Sequence, residues 1–183
     1  TVISAANAEN DANDLRQKAI KIFPKCLALG ISTQMTKNLI EQLSKIISNK
    51  EDNGYVRIEA VKALSPFIAS CTNAETLKKL ALIINFKKNK QYLWDPSLLA
   101  LPAFIDSCVE ETTIASWLNE IIEGIKKAPL AAFKNKLLLT LPLFARYYRK
   151  NIEKVKIISD VIIAHTQAKN ASVQENALNA FFR

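Results

Sequence analysis

Glycine occurs only three times in this chain of 183 residues, and histidine once. So few glycines leave little material for tight turns or for a glycine-rich phosphate loop, and no such loop is present. The single His165 has no serine or cysteine at a spacing that suggests a nucleophile–base pair, and no HExxH motif occurs. Glu110 and Glu111 are paired carboxylates only in name, because adjacent residues of a helix point apart. The three cysteines, Cys26, Cys71 and Cys108, are widely spaced and form no CxxC. That pattern argues against a disulfide framework and a zinc site, and predicts free thiols in a reducing compartment, cytoplasm or nucleus. No uninterrupted apolar run approaches the roughly 18 to 20 residues that span a bilayer. The first residues, "TVISAANAENDANDLRQ", lack a basic flank followed by an apolar stretch, so no signal peptide is visible. No catalytic activity, metal or cofactor is expected.

Apolar residues, by contrast, make up 49% of the chain, and Leu, Ile, Ala and Lys are abundant. These favour an all-α fold. Five segments align: "DLRQKAIKIFPKCLA" from Asp14, "YVRIEAVKALSPFIAS" from Tyr55, "YLWDPSLLALPAFIDS" from Tyr92, "AFKNKLLLTLPLFARY" from Ala132 and "SVQENALNAFFR" from Ser172. One apolar column runs Leu15, Val56, Leu93, Phe133, Val173, with steps of 41, 37, 40 and 40 residues. A second runs Phe23, Leu64, Leu101, Leu141, Phe181. Between these segments lie other amphipathic stretches. "QMTKNLIEQLSKIIS" sets Met35, Leu39, Leu43, Ile46 and Ile47 on one face, and Leu80, Trp117, Ile121, Ile158 and Val161 continue the pattern. Thr72 with Glu75, and Asn151 before Glu153, read as helix starts, and Asn53-Gly54 reads as a turn. The unit is therefore a pair of antiparallel helices, a first and a second, which buries its apolar faces by stacking on its neighbours.

On these residues the chain resembles the HEAT-repeat family. Asp52 precedes Val56-Arg57, and Asp11 precedes Leu15-Arg16 at the same spacing. The resemblance implies a right-handed α-α superhelix, a solenoid of about four to five hairpins spanning residues 1–183 as one domain. It also implies a ladder of Asp11, Arg16, Asp52 and Arg57 between neighbouring units. Trp94, Lys134 and Gln174 stand in the arginine column and depart from the motif. Neither end resembles a polar capping repeat, as expected of a segment from a longer array. Pro24, Pro102 and Pro142 share a column, and Pro66 falls one place later. Each costs a hydrogen bond to the carbonyl four residues back, and four occurrences in one place predict a bend in the second helix rather than its end. Family members more often carry that proline in the first helix.

The formal charge is +8. Lysines gather where first helices end: Lys45 and Lys50, then Lys87, Lys88 and Lys90, then Lys126 and Lys127, with Lys134 and Lys136 just beyond. In a stack these turns share one edge. Complementing the helix dipole explains bases at helix ends, but not Lys134 and Lys136 at a helix start. With Trp94, these lysines are the candidate partner-binding residues. Arg146, Arg149 and Lys150 interrupt an otherwise acidic opposite edge, and "ARYYRK" sets Tyr147 and Tyr148 among cations. The resemblance implies an intracellular protein-interaction scaffold, without membrane insertion, and the charge favours an acidic partner segment. Nucleic-acid binding through the basic edge is the alternative.

Overall fold

The computed structural model describes residues 13–70, 81, 93–107 and 110–182, and among them every regular element is a helix, with no strand. The chain divides into two compact units, residues 1–113 and 114–183. Each is taken by itself.

In the first unit α1 (Asn13–Ala28) is followed by α2 (Thr33–Ser48), α3 (Gly54–Ser70) and α4 (Trp94–Asp106). Local chemistry sets their ends. Gly30, at φ +74°, takes the left-handed turn after α1, and its N–H donates to the Leu27 carbonyl at 3.0 Å. Ser32 caps α2 by accepting from the Met35 N–H at 3.3 Å. Leu39, Leu43, Ile46 and Ile47 of α2 are buried as their spacing requires, at about 1.5–3 kcal/mol each. Met35, in the first turn of that stripe, is exposed. Asn53 is a cap rather than the corner of a turn. Its Oδ1 accepts from the Tyr55 N–H at 2.9 Å and the Val56 N–H at 3.4 Å, and Gly54 already belongs to α3.

The central helix of this unit is α3, which packs against α1, α2 and α4. Two polar contacts show how its neighbours are registered. Arg16, near the start of α1, reaches Asp52, just ahead of α3, and Ser107, at the end of α4, approaches the Ile68 carbonyl at 3.5 Å. Starts lie by starts and ends by ends, so α1, α3 and α4 run parallel. Residues 36 to 39 apart are brought together, which is what side-by-side packing of successive second helices requires.

The second unit holds α5 (Glu111–Lys127) from Ile114 on, then α6 (Ala131–Leu138), α7 (Leu141–Tyr147), α8 (Ile152–Thr166) and α9 (Ala171–Phe181). Ile114, Trp117, Leu118, Ile121, Ile122 and Ile125 form the buried stripe of α5. Both α6 and α8 pack on α9. Asn151 and Asn170 cap α8 and α9, accepting from the N–H groups of Lys154 and Val173 at 3.1 and 3.2 Å.

The prolines part company here. Pro24, Pro66 and Pro102 lie inside continuous helices. At Pro142 the second helix is divided, and the proline sits at the start of α7. Two residues before it, Thr140 donates its hydroxyl to the Leu137 carbonyl at 2.7 Å, and its N–H goes to the same carbonyl at 3.1 Å. A hydroxyl that bonds locally offers the backbone an alternative to the helix. Ile22 and Ala100, two residues before Pro24 and Pro102, have no such group. The expectation of a proline carried within the helix therefore fails at Pro142, where hydroxyl and proline together end it.

Candidate interaction surface

Polar groups buried between helices come first, because they fix where the surface residues stand. The Arg16 guanidinium donates to both carboxylate oxygens of Asp52, Nη1 to Oδ1 at 2.8 Å and Nη2 to Oδ2 at 2.6 Å, and both side chains are about nine-tenths buried. Arg57 is also buried, with Nε and Nη2 donating to the Ile47 carbonyl at 3.1 and 2.8 Å. That carbonyl lies in the last turn of α2, where no further helical N–H can reach it, so the guanidinium closes the helix end. Asp11 lies outside the described residues. In the second unit a contact between successive second helices is neutral: Asn135 Nδ2 donates to Ser172 Oγ at 2.7 Å, while Asn135 Oδ1 is buried without a partner.

The excess of positive charge is uneven. Residues 114–183 carry eleven Lys and Arg against five Asp and Glu, a balance of +6, while residues 1–113 carry fourteen against twelve, a balance of +2. At the end of α5, Lys126 and Lys127 are both drawn to Glu123, at 2.8 and 3.5 Å. The hydrogen bond from Lys126, with its charge and that of Lys127, holds the Glu123 carboxyl below the usual glutamate range. Lys134 is half-buried in the middle of α6, and Lys136 is exposed in its last turn rather than at a helix start, where a base does complement the dipole; Trp94, at the start of α4, is half-buried. Lys87, Lys88 and Lys90 lie outside the described residues.

A second cationic group stands at the turn between α7 and α8. Arg149, Lys150 and Lys156 are exposed and make no ion pair among the described residues. The turn is held by the Asn151 N–H donating to the Tyr148 carbonyl at 2.7 Å. Tyr148 is buried, and its ring meets that of half-buried Tyr147 edge to face, with centroids 4.8 Å apart. Sequence reasoning treats Arg149 and Lys150, with Arg146, as an interruption of an acidic edge. The signal was present in "RYYRK", but its meaning depends on the helix that follows. Arg149 and Lys150 lie between the end of α7 and the start of α8, and Lys154 and Lys156 follow within α8, whose first turn also holds Glu153.

Chemistry of other kinds finds little support. Among the described residues no cluster of three His, Cys, Asp or Glu side chains could hold a metal, and no helix is long and apolar enough to cross a membrane. His165 uses Nδ1 on the Val161 carbonyl at 2.8 Å, a bond within its own helix. Cys26 is a free thiol, while Cys71 and Cys108 lie outside the described residues. No family model, no curated protein and no solved structure matches this chain.

Proposed function

We propose that this chain is a protein-interaction scaffold, a HEAT-like solenoid whose hairpins continue in a right-handed superhelix, and that it holds an acidic segment of a partner protein. The observation that carries this reading is the exposed cationic group between α7 and the second turn of α8, where Arg149, Lys150 and Lys156 make no ion pair among the described residues. Exposed cations without an internal partner suit an anion that arrives from outside. The parallel packing of α1, α3 and α4 supports the solenoid, because a stack of this kind grows by repeating one contact. An acidic peptide suits a surface of discrete lysines and arginines between helix ends, where complementarity sets partner choice and approach rate. Nucleic acid is the second reading, favoured by Tyr147 beside these cations, since aromatic rings among bases stack nucleotides.

Fluorescence anisotropy with a labelled glutamate-rich peptide and with single-stranded DNA and RNA of equal charge separates the two readings. The peptide is expected to bind, and the triple variant Arg149→Glu, Lys150→Glu, Lys156→Glu is expected to lose at least tenfold in affinity, or about 1.4 kcal/mol. Lys126→Glu with Lys127→Glu should lose less, because Glu123 already engages both lysines. Stronger, steeply salt-dependent binding of the oligonucleotides would establish the second reading instead. Binding of neither probe removes the cationic surface as a functional site.

A further inference from the structure

Helix α3 is flanked by the second helices α1 and α4 and also packs on the first helix α2. Residues such as Val56, Ala60, Leu64 and Phe67 are buried in those contacts. What stays open is one stripe of the helix: Tyr55, Lys62 and Pro66 are exposed and Glu59 is half-buried, at helical spacings of four, three and four residues. This stripe marks the broad face of the first unit. A further hairpin joins a stack beside its outermost second helix, so lengthening the array at either end leaves the α3 stripe open.

The same face continues onto both neighbours, because the three helices run parallel, and Ser107 beside Ile68 keeps the columns of α3 and α4 in step to within a turn. On α1 the stripe holds Asp14, Lys18, Lys21 and Lys25, all exposed. On α4 it holds Asp95, Leu99, Pro102 and Asp106. Lys21, Lys62 and Leu99 each stand six residues beyond the first apolar column, and so form one row across three helices. Chemistry changes along that row. Lys18 is held by Asp14 at 2.6 Å, but Lys21 and Lys25 make no ion pair among the described residues. Lys62 is held by Glu59 at 2.9 Å. At the far end Leu99 is 69% exposed, with exposed Pro102 beside it. The stripes carry three bases to one acid on α1, one to one on α3, and two acids and no base on α4. A solitary exposed leucine is ordinary. This one ends a row that begins with two uncommitted lysines.

We infer that this face holds an extended segment of a partner protein, its acidic end over Lys21 and Lys25 and an apolar side chain over Leu99 and Pro102. Helices packed about 10 Å apart put α1 about 20 Å from α4. An extended chain covers that distance in about six residues. Asp95 and Asp106 oppose a carboxylate on α4, so charge also fixes the direction in which the segment lies. The cationic group between α7 and α8 is a separate surface in the second unit, and the inference does not rest on it.

Fluorescence anisotropy on the full chain tests it with a labelled peptide that has two glutamates at one end, a leucine about six residues on, and serine and alanine between. Lys21→Glu/Lys25→Glu should weaken binding about tenfold. Leu99→Ser should weaken it about fivefold. Both variants replace exposed side chains and should keep the wild-type circular dichroism and melting midpoint. The triple variant Arg149→Glu, Lys150→Glu, Lys156→Glu should bind this peptide as the wild type does. A peptide with its leucine about three residues closer to the glutamates should bind more weakly and should not respond to Leu99→Ser. No binding of the first peptide overturns the inference. Indifference to Leu99→Ser overturns it too, since charge alone would then be the attraction. Loss of binding in the triple variant, with none in Lys21→Glu/Lys25→Glu, would assign the peptide to the other surface and remove this one. Tighter binding of phosphatidylserine vesicles or oligothymidine through Lys21 and Lys25 would give the face to a lipid surface or a nucleic acid instead.

Discussion

Residues 1–113 and residues 114–183 each join successive second helices by a polar contact, but with different chemistry. The first unit uses a buried, bidentate Arg16–Asp52 pair and a second buried guanidinium, that of Arg57, on a helix-end carbonyl. The second unit uses one neutral bond from Asn135 to Ser172 and leaves the Asn135 carbonyl oxygen unsatisfied. Charge follows the same division. In the first unit Arg16 and Arg57 are buried against an acid and a carbonyl, while in the second Arg146 and Arg149 are exposed. The comparison teaches that a common packing geometry can be held by either kind of contact.

The largest expected effect tests the buried contacts directly. Arg16→Ala leaves the Asp52 carboxylate nine-tenths buried without its bidentate partner, and about 3–5 kcal/mol of stability should be lost, read as a lower midpoint in urea. Asn135→Leu removes a neutral bond together with an orphaned oxygen at similar volume, and should change stability by less than about 1 kcal/mol. Equal losses would erase the contrast between the units. Smaller and opposite in sign are the proline effects. Pro66→Ala restores an N–H that can reach the Lys62 carbonyl inside continuous α3, and should raise the melting midpoint by the equivalent of about 1 kcal/mol or more. Pro142→Ala, at the start of α7, gives up a pre-set φ angle and should cost about 0.4–1 kcal/mol. A gain at both sites would mean that Pro142 only interrupts a helix that would otherwise be continuous.

Helix caps are where the two units should agree. Asn53→Ala and Asn170→Ala each free backbone N–H groups of a first turn, and each should cost about 1 kcal/mol in thermal melts. The smallest effect belongs to Glu123. Its folded-state carboxyl titrates below the usual 4.5 because Lys126, and then Lys127, favour the charged form. A depressed carboxyl contributes stability above its unfolded value, and loses it as pH falls through the lower folded value. Carbon-detected NMR should place the Glu123 midpoint below 4.5, and Lys126→Ala should move it up more than Lys127→Ala does.

Much of the fold was legible in the residues because burial on one side of a helix imposes a period. Leu39, Leu43, Ile46 and Ile47, the stripe through Trp117 and Ile121, and the cap at Asn151 all stand as the pattern requires. Leu15 and Phe181 do not: they belong to columns that are otherwise largely buried, yet they are exposed. A period reports the kind of side chain at a position, while exposure depends on whether a neighbouring helix is there to cover it. The candidate surface was less legible for a related reason. Lys126 and Lys127 look like free cations in a string of letters, but one helical turn brings Glu123 to both. Arg149 and Lys150 look like an interruption of an acidic edge until the structure sets them, exposed, in the turn between α7 and α8.

Composition and spacing alone determined that this chain is helical and that its helices recur about every 40 residues, since few glycines and a regular apolar column permit little else. Tertiary structure decided how each contact was made. Whether an arginine finds a carboxylate, whether a proline is carried within its helix or ends it, and which apolar face is left bare depend on atoms brought close in space from tens of residues away. No local pattern carries that information, because these are properties of pairs.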